Sequence, residues 1–158
     1  MATPTNLPAT FVSGDVLTAA QQNGLRGAFR ILQVVTGTTN TQTSTGSGTY
    51  SDVGLSASIT PQATTNKILV MAQINYYNAG TNKTTFNLVR ASTQINETNP
   101  LGGDANNIDG GCFLTLLDSP STTSATTYKV QFKTNGSAGY LRASATATCT
   151  IFLIEVSA

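Results

Sequence analysis

The stretch from Asn66 to Tyr77 constrains the fold most and reads N-K-I-L-V-M-A-Q-I-N-Y-Y. Alternate positions form one set of Ile68, Val70, Ala72, Ile74 and Tyr76, and a second set that includes Leu69, Met71 and Tyr77. Because successive side chains of a strand point to opposite faces, the pattern predicts a long strand with the first set in the core. The second set is half apolar, so we predict that Leu69, Met71 and Tyr77 contact another subunit or a neighbouring pair of strands.

The same period of two recurs from Phe29 to the end of the sequence. It predicts eight or nine strands, at residues 30–35, 55–59, 66–77, 86–90, 93–98, 112–117, 128–133, 140–146 and 149–156. Residues 36–49 and 99–111 are rich in small polar residues and predict loops. Cys112–Leu117 is apolar at both alternations, which predicts a strand buried on both faces. Because strands and helices do not alternate, the pattern favours an all-β, jelly-roll-like antiparallel sandwich.

Residues 1–28 differ from the rest and are predicted to form a separate N-terminal arm, followed by a β-sandwich domain at 29–158. Pro4 and Pro8 favour an extended start. Thr18 and Gln21 fit a capping box, which predicts a short helix that ends at Gly24 or Gly27. Residues 1–8 lack the basic and apolar regions of a secretory signal, so we expect none.

The chain has few charged residues, and this excludes several functions. Asp, Glu, Lys and Arg make up 9% of the residues, against about 25% in average domains. Eight Lys and Arg and a net charge of +1 cannot supply a phosphate-binding surface, so we expect no nucleic-acid binding. No run of 18 apolar residues predicts a membrane span. A nearly neutral surface favours a place in a larger assembly.

Residue types for catalysis and metal binding are scarce. Histidine is absent, and the seven carboxylates are scattered without an acid–base motif, so we predict no enzyme, no cofactor and no metal site. Residues 104–110 offer oxygen ligands for calcium, but Ile108 stands where a ligand is needed and no Glu closes the loop. A polar turn is the favoured interpretation.

The sequence allows more than one structural role for the two cysteines and for the tyrosine pair. Cys112 and Cys149 are favoured as buried free thiols, while a disulfide would require their strands to be neighbours with facing side chains. Tyr76 and Tyr77 could stack on a sugar or line an interface, and the core is favoured for Tyr76.

Several segments resemble small bacteriophage virion proteins and the C-terminal domains of phage tail fibres. The resembling segments, in chain order, are residues 11–23, 31–35, 54–61, 67–70, 88–95, 118–130 and 150–155. Residues 118–130, which read D-S-P-S-T-T-S-A-T-T-Y-K-V, are the most specific of them. The resemblance covers most of the chain and implies a structural or attachment role without catalysis, commonly as a trimer.

Two functions follow as expectations from the resemblance. The first is a homotrimeric capsid decoration, cement or head-fibre protein, made in the host cytoplasm and held on the major capsid protein by its N-terminal arm. Its candidate virion-attachment residues are Leu7, Pro8, Phe11, Val12, Val16, Leu17 and Leu25. The alternative is a tail-fibre or spike tip that joins a tail protein and binds a host receptor, such as a host-surface glycan. The sequence predicts no shaft of heptads or β-helix repeats, which favours the first.

Overall fold

The computed structural model describes residue 16 and residues 30–80, 83–98, 108–136 and 138–157. Within these residues the chain forms ten β-strands and no helix. The strands are β1 (Ile31–Thr39), β2 (Thr43–Thr45), β3 (Ser51–Ile59), β4 (Lys67–Asn78), β5 (Thr84–Arg90), β6 (Thr93–Thr98), β7 (Ile108–Asp118), β8 (Thr126–Thr134), β9 (Gly139–Leu141) and β10 (Cys149–Val156). The predicted all-β class is confirmed. The helix predicted after Thr18 lies outside the described residues.

The strands form two antiparallel sheets that enclose one core. Sheet A has the order β1-β10-β4-β9-β2, and β7 also pairs with β4. Sheet B has the order β3-β8-β5-β6. Because β7 occupies one edge of β4 over residues 68–78, the other edge is shared by β10, opposite residues 67–73, and β9, opposite residues 76–78. The segment with the clearest alternation is therefore the centre of the larger sheet.

One face of β4 lies in the core, as predicted. Ile68, Val70, Ala72 and Ile74 are fully buried, and Tyr76 is 4% exposed. Across the sandwich, the ring of Tyr76 meets Phe86 of sheet B edge to face, with 6.0 Å between the centroids. Burying each large apolar side chain stabilises the fold by about 1.5–3 kcal/mol. The alternation of β4 thus supplies much of the core on the sheet A side.

Edge strands of the two sheets meet at Gly37. This glycine lies in β1 of sheet A, and a Cβ built on it would lie 2.0 Å from the carbonyl oxygen of Ser56 in β3 of sheet B. Real Cβ atoms do not approach backbone oxygen so closely, and backbone atoms cannot rotate away as a side chain can. Glycine is therefore needed where this side of the sandwich closes.

Two carboxylates, those of Asp118 and Glu155, form hydrogen bonds between segments that are distant in sequence. Asp118, at the end of β7, accepts hydrogen bonds from Arg90 Nη1 at 2.8 and 2.7 Å and from the Tyr128 hydroxyl at 2.6 Å, which links sheet A to sheet B. Glu155 of β10 is fully buried. It accepts hydrogen bonds from Gln33 Nε2 at 2.5 Å, the Gln62 amide at 2.7 Å and Asn66 Nδ2 at 2.6 Å.

The hydrogen bonds to Glu155 decide its charge. Burial alone would raise the pKa of this carboxyl, but the donors from Gln33, Asn66 and Gln62 favour the ionised form. The net effect holds the pKa of Glu155 below its usual value. The ionised carboxylate thereby ties β10 to the segment that leads from β3 into β4.

Three predicted boundaries are wrong. The segment at 36–49, predicted as a loop, contains the end of β1 and all of β2, because β-branched threonine suits a strand once a partner ladder exists. The predicted strand at 140–146 ends at Leu141, after which a turn joins Ser144 to Ala147. The predicted loop at 99–111 overlaps β7, which begins at Ile108 where its partner β4 still extends.

Candidate interaction surface

The outer face of sheet A carries a continuous set of apolar side chains. Val34, Ile154, Leu69 and Leu117 are register partners in turn, so they form one row across β1, β10, β4 and β7. Phe152 and Met71 are partners in the next row, and Phe113 follows on β7 two residues from Thr115, the partner of Met71. We call these seven residues the apolar band: Val34, Leu69, Met71, Phe113, Leu117, Phe152 and Ile154.

Four of the seven side chains of the apolar band are exposed, and Leu69, Met71 and Ile154 are partly buried. Leu117 is 58%, Val34 is 55%, Phe113 is 54% and Phe152 is 38% exposed. The prediction that Cys112–Leu117 is buried on both faces is therefore wrong. Cys112 and Leu114 of this segment face the core, while Phe113 and Leu117 face outward, where no other described part of the chain covers them.

Contiguity distinguishes the apolar band from ordinary exposed side chains. Single apolar residues on a surface are common, but contiguous apolar patches mark sites of association. Four strands spaced about 4.8 Å apart make the band about 14 Å wide. All seven side chains are uncharged, so a partner surface could cover them without desolvating an ion.

The outer face of sheet B is different, because its polar groups bind one another. Lys129 pairs with Asp52 at 2.9 Å, and Gln131 donates to the same carboxylate at 2.7 Å. The Tyr50 hydroxyl donates to Glu97 at 2.6 Å. Lys133 Nζ lies 4.3 Å from the Tyr50 ring centroid. The polar groups of this face are well hydrated in water. The hydrophobic effect therefore favours a partner surface that buries the outer face of sheet A rather than that of sheet B.

The apolar band ends part-way along β4. Gln73 and Asn75 follow Met71 on the outer face and form a hydrogen bond of 3.1 Å between their side chains. Tyr77 comes next and lies in a separate recess with Tyr140, Asp109 and Arg142. Phe113, the residue of the apolar band nearest to the recess, is four residues from Asp109 on β7, which is about 13 Å along a strand. The outer face of sheet A therefore carries two distinct surfaces.

The predicted site residues fall into three groups. Leu69 and Met71, two of the three candidate interface residues, lie in the apolar band, whereas Tyr77 lies in the recess. Among the candidate attachment residues, Val16 is 86% exposed. The others lie outside the described residues: Leu7, Pro8, Phe11, Val12, Leu17 and Leu25.

Sequence reasoning missed five members of the apolar band, namely Val34, Phe113, Leu117, Phe152 and Ile154. The available signal was the apolar character of both alternations in residues 112–117 and 149–156. A strand that reads as apolar on both faces can be doubly buried in one chain or can face a partner. The strand register and the exposure of the side chains in the folded chain are needed to distinguish a doubly buried strand from one that faces a partner.

The reactive groups within the described residues are held in structural environments. Cys112 and Cys149 are buried and free, which confirms the favoured interpretation, and burial raises the pKa of both thiols. No group of three His, Cys, Asp or Glu within the described ranges could hold a metal ion. Asp109, the last acidic residue of the considered calcium segment, accepts a hydrogen bond from Arg142 instead.

Comparisons with known proteins identify no family for this chain. No protein-family model matches it, and no curated protein shows significant similarity to it. Among the described residues, no helix has the length and apolar character needed to cross a membrane.

Proposed function

We propose that the chain is a non-enzymatic structural protein of a bacteriophage virion that self-associates through the apolar band, with a homotrimer as the expected form. The observation that carries the self-association is the row Val34–Ile154–Leu69–Leu117, which is uncharged, with its two end residues exposed and its two middle residues partly buried. The phage assignment is supported by the resemblance of segments such as residues 118–130. Within this proposal the two-sheet sandwich is jelly-roll-like.

The proposed role in the virion is that of a capsid decoration, cement or head-fibre protein. Residues 1–28 are the proposed arm that attaches to the major capsid protein, with the sandwich projecting from the particle. This division is supported by the change in composition at Phe29, where the alternating pattern typical of strands begins. Val16, the described member of the attachment set, is 86% exposed and so is available to a partner.

Deletion of residues 1–25 tests the attachment role. The truncated protein should remain a folded oligomer, because the ten described strands and the core that they enclose lie within residues 31–156. It should no longer bind purified virions that lack the full-length protein, whereas the full chain should bind them. Co-sedimentation with the virions measures binding. Gold labelling of the full chain shows whether the protein is located on the capsid or on the tail. Truncated protein that still decorates particles contradicts the arm proposal.

The second candidate is a tail-fibre or spike tip that binds a host receptor. The recess at Tyr77 favours it, because partly exposed tyrosines beside paired charges are suited to recognising polar ligands. Gold label at the tail instead of the capsid would select this alternative.

A further inference from the structure

A recess opens at the end of the outer face of sheet A that the apolar band does not reach. Its described lining residues are Gln42, Tyr77, Asp109, Tyr140 and Arg142, and its volume is about 510 Å³. Small-molecule sites commonly measure about 300–1,000 Å³. The recess therefore has the size to hold a ligand of one or a few sugar rings, and its composition indicates which chemistry it selects.

Strand register builds the floor of the recess. Tyr77 of β4 pairs with Tyr140 of β9 on one side and with Asp109 of β7 on the other. Register partners project from the same face of a sheet, so the three side chains stand in one row. The two tyrosine rings lie 5.6 Å apart between centroids and are tilted by 44°. Together they form a fixed aromatic platform.

A charge pair stands over this platform. Arg142 donates a hydrogen bond to Asp109, and its guanidinium lies 5.5 Å from the Tyr77 ring centroid. The bond to Asp109 raises the pKa of Arg142, so the arginine stays charged. The two charges offset each other, and Gln42 adds a neutral amide to the rim. The described lining residues thus present hydrogen-bond donors and acceptors without net charge.

We propose that this recess binds a neutral saccharide. The apolar C–H face of a pyranose ring would lie against Tyr77 or Tyr140, and its hydroxyls would bind Asp109, Arg142 and Gln42. A phosphate or another anion would meet the Asp109 carboxylate and find no uncompensated cation among the described lining residues. A purely apolar ligand would leave the Arg142–Asp109 pair desolvated, which is costly.

This inference does not depend on the proposed place in the virion. The two surfaces share no residue, because one outward-facing pair, Asn75 and Gly111, lies between Phe113 of the apolar band and the row that contains Tyr77. Saccharide binding and oligomeric mass are measured separately, and either one can fail while the other holds.

Titration of the full-length chain with glucose, galactose, mannose and N-acetylglucosamine tests the inference. With tyrosine rings labelled for nuclear magnetic resonance, at least one sugar should shift the signals of Tyr77 and Tyr140 in a saturable way. Inorganic phosphate, at the same concentrations, should shift neither. Absence of saturable shifts with all four sugars overturns the proposal, as does stronger binding of phosphate at these rings.

Variants locate the site. Tyr77→Ala should weaken binding of the best sugar about tenfold or more, equivalent to about 1.4 kcal/mol, and Asp109→Asn should also weaken it. The matched control is Tyr50→Ala, because Tyr50 also lies under a cation and beside a carboxylate, but directly before β3 on the side of sheet B. The control should bind as the wild type does. An equal loss in the Tyr50 variant would contradict the assignment, and the wild-type ring shifts remain decisive if Tyr77→Ala misfolds.

Discussion

Gly37 shows how one residue decides whether the two sheets can close on each other. The nearest obstacle to a Cβ at this position is the Ser56 carbonyl oxygen at 2.0 Å, which belongs to the backbone of a paired strand. β3 and its partner β8 would have to move together to relieve the clash, which would disturb many packing contacts at once. The sequence predicted a loop at Gly37 because residues 36–49 are small and polar. The approach of Ser56 could not be predicted, because Ser56 lies in a different strand of the other sheet.

We predict that Gly37→Ala lowers the free energy of unfolding by about 2–3 kcal/mol, in the upper part of the range for overpacked sites. Chemical denaturation followed by circular dichroism measures the change. Gly46→Ala is the matched control, since a Cβ there meets nothing within 4 Å, and it should be neutral or slightly stabilising. Equal stability of Gly37→Ala and the wild type would show that the sheets do not approach as described.

At the scale of elements, the Glu155 carboxylate connects β10 to the segment between β3 and β4. Its two oxygens together accept three hydrogen bonds, from Gln33, Gln62 and Asn66. A glutamine at this position would have only one acceptor oxygen and would direct an amide group at a donor. The neutral substitution therefore removes at least one of the three hydrogen bonds and the charge that strengthens the others.

We predict that Glu155→Gln destabilises the fold by about 2–3 kcal/mol at neutral pH. Glu97→Gln, whose side chain is 37% exposed, is the control and should cost less than about 1 kcal/mol. Denaturation curves of both variants and the wild type measure this difference. A smaller loss in Glu155→Gln than in Glu97→Gln would contradict the proposed link.

The same carboxylate predicts a pH dependence with a defined sign. The pKa of Glu155 is lowered in the folded chain, so the unfolded chain, with a pKa of about 4.3, takes up the proton first. The stabilisation is complete well above the unfolded value and is lost as the pH falls through the folded value. Glu155→Gln should thus show a flatter decline of stability below about pH 5 than the wild type, which unfolding at several pH values would measure.

Element patterns predicted the fold better than they predicted the site. The alternation of β4 identified the core face from Ile68 to Tyr76, because burial of one face imposes a period of two. The same alternation could not show whether Phe113 and Leu117 meet the core or a partner, since both environments select apolar residues. The recess could not be predicted from the sequence, because the row Tyr140–Tyr77–Asp109 depends on pairing between strands far apart in sequence.

For the whole molecule, the two outer faces suggest one orientation in an assembly. Sheet B carries polar groups that bind each other, while sheet A carries the apolar band and the recess. In the proposed oligomer the apolar bands face each other. The proposed structural role and the proposed saccharide site would then use different parts of sheet A.

The oligomeric mass tests the central claim most directly. Light scattering coupled to size exclusion, at micromolar concentration, should give about 49 kDa for the wild type, which is three chains of 16.4 kDa. Leu117→Asp places a charge in the exposed apolar band and should give folded monomers, whereas Ser56→Asp on the outer face of sheet B should remain trimeric. A wild-type mass of 16.4 kDa, or an unchanged oligomer in Leu117→Asp, would contradict self-association through this band.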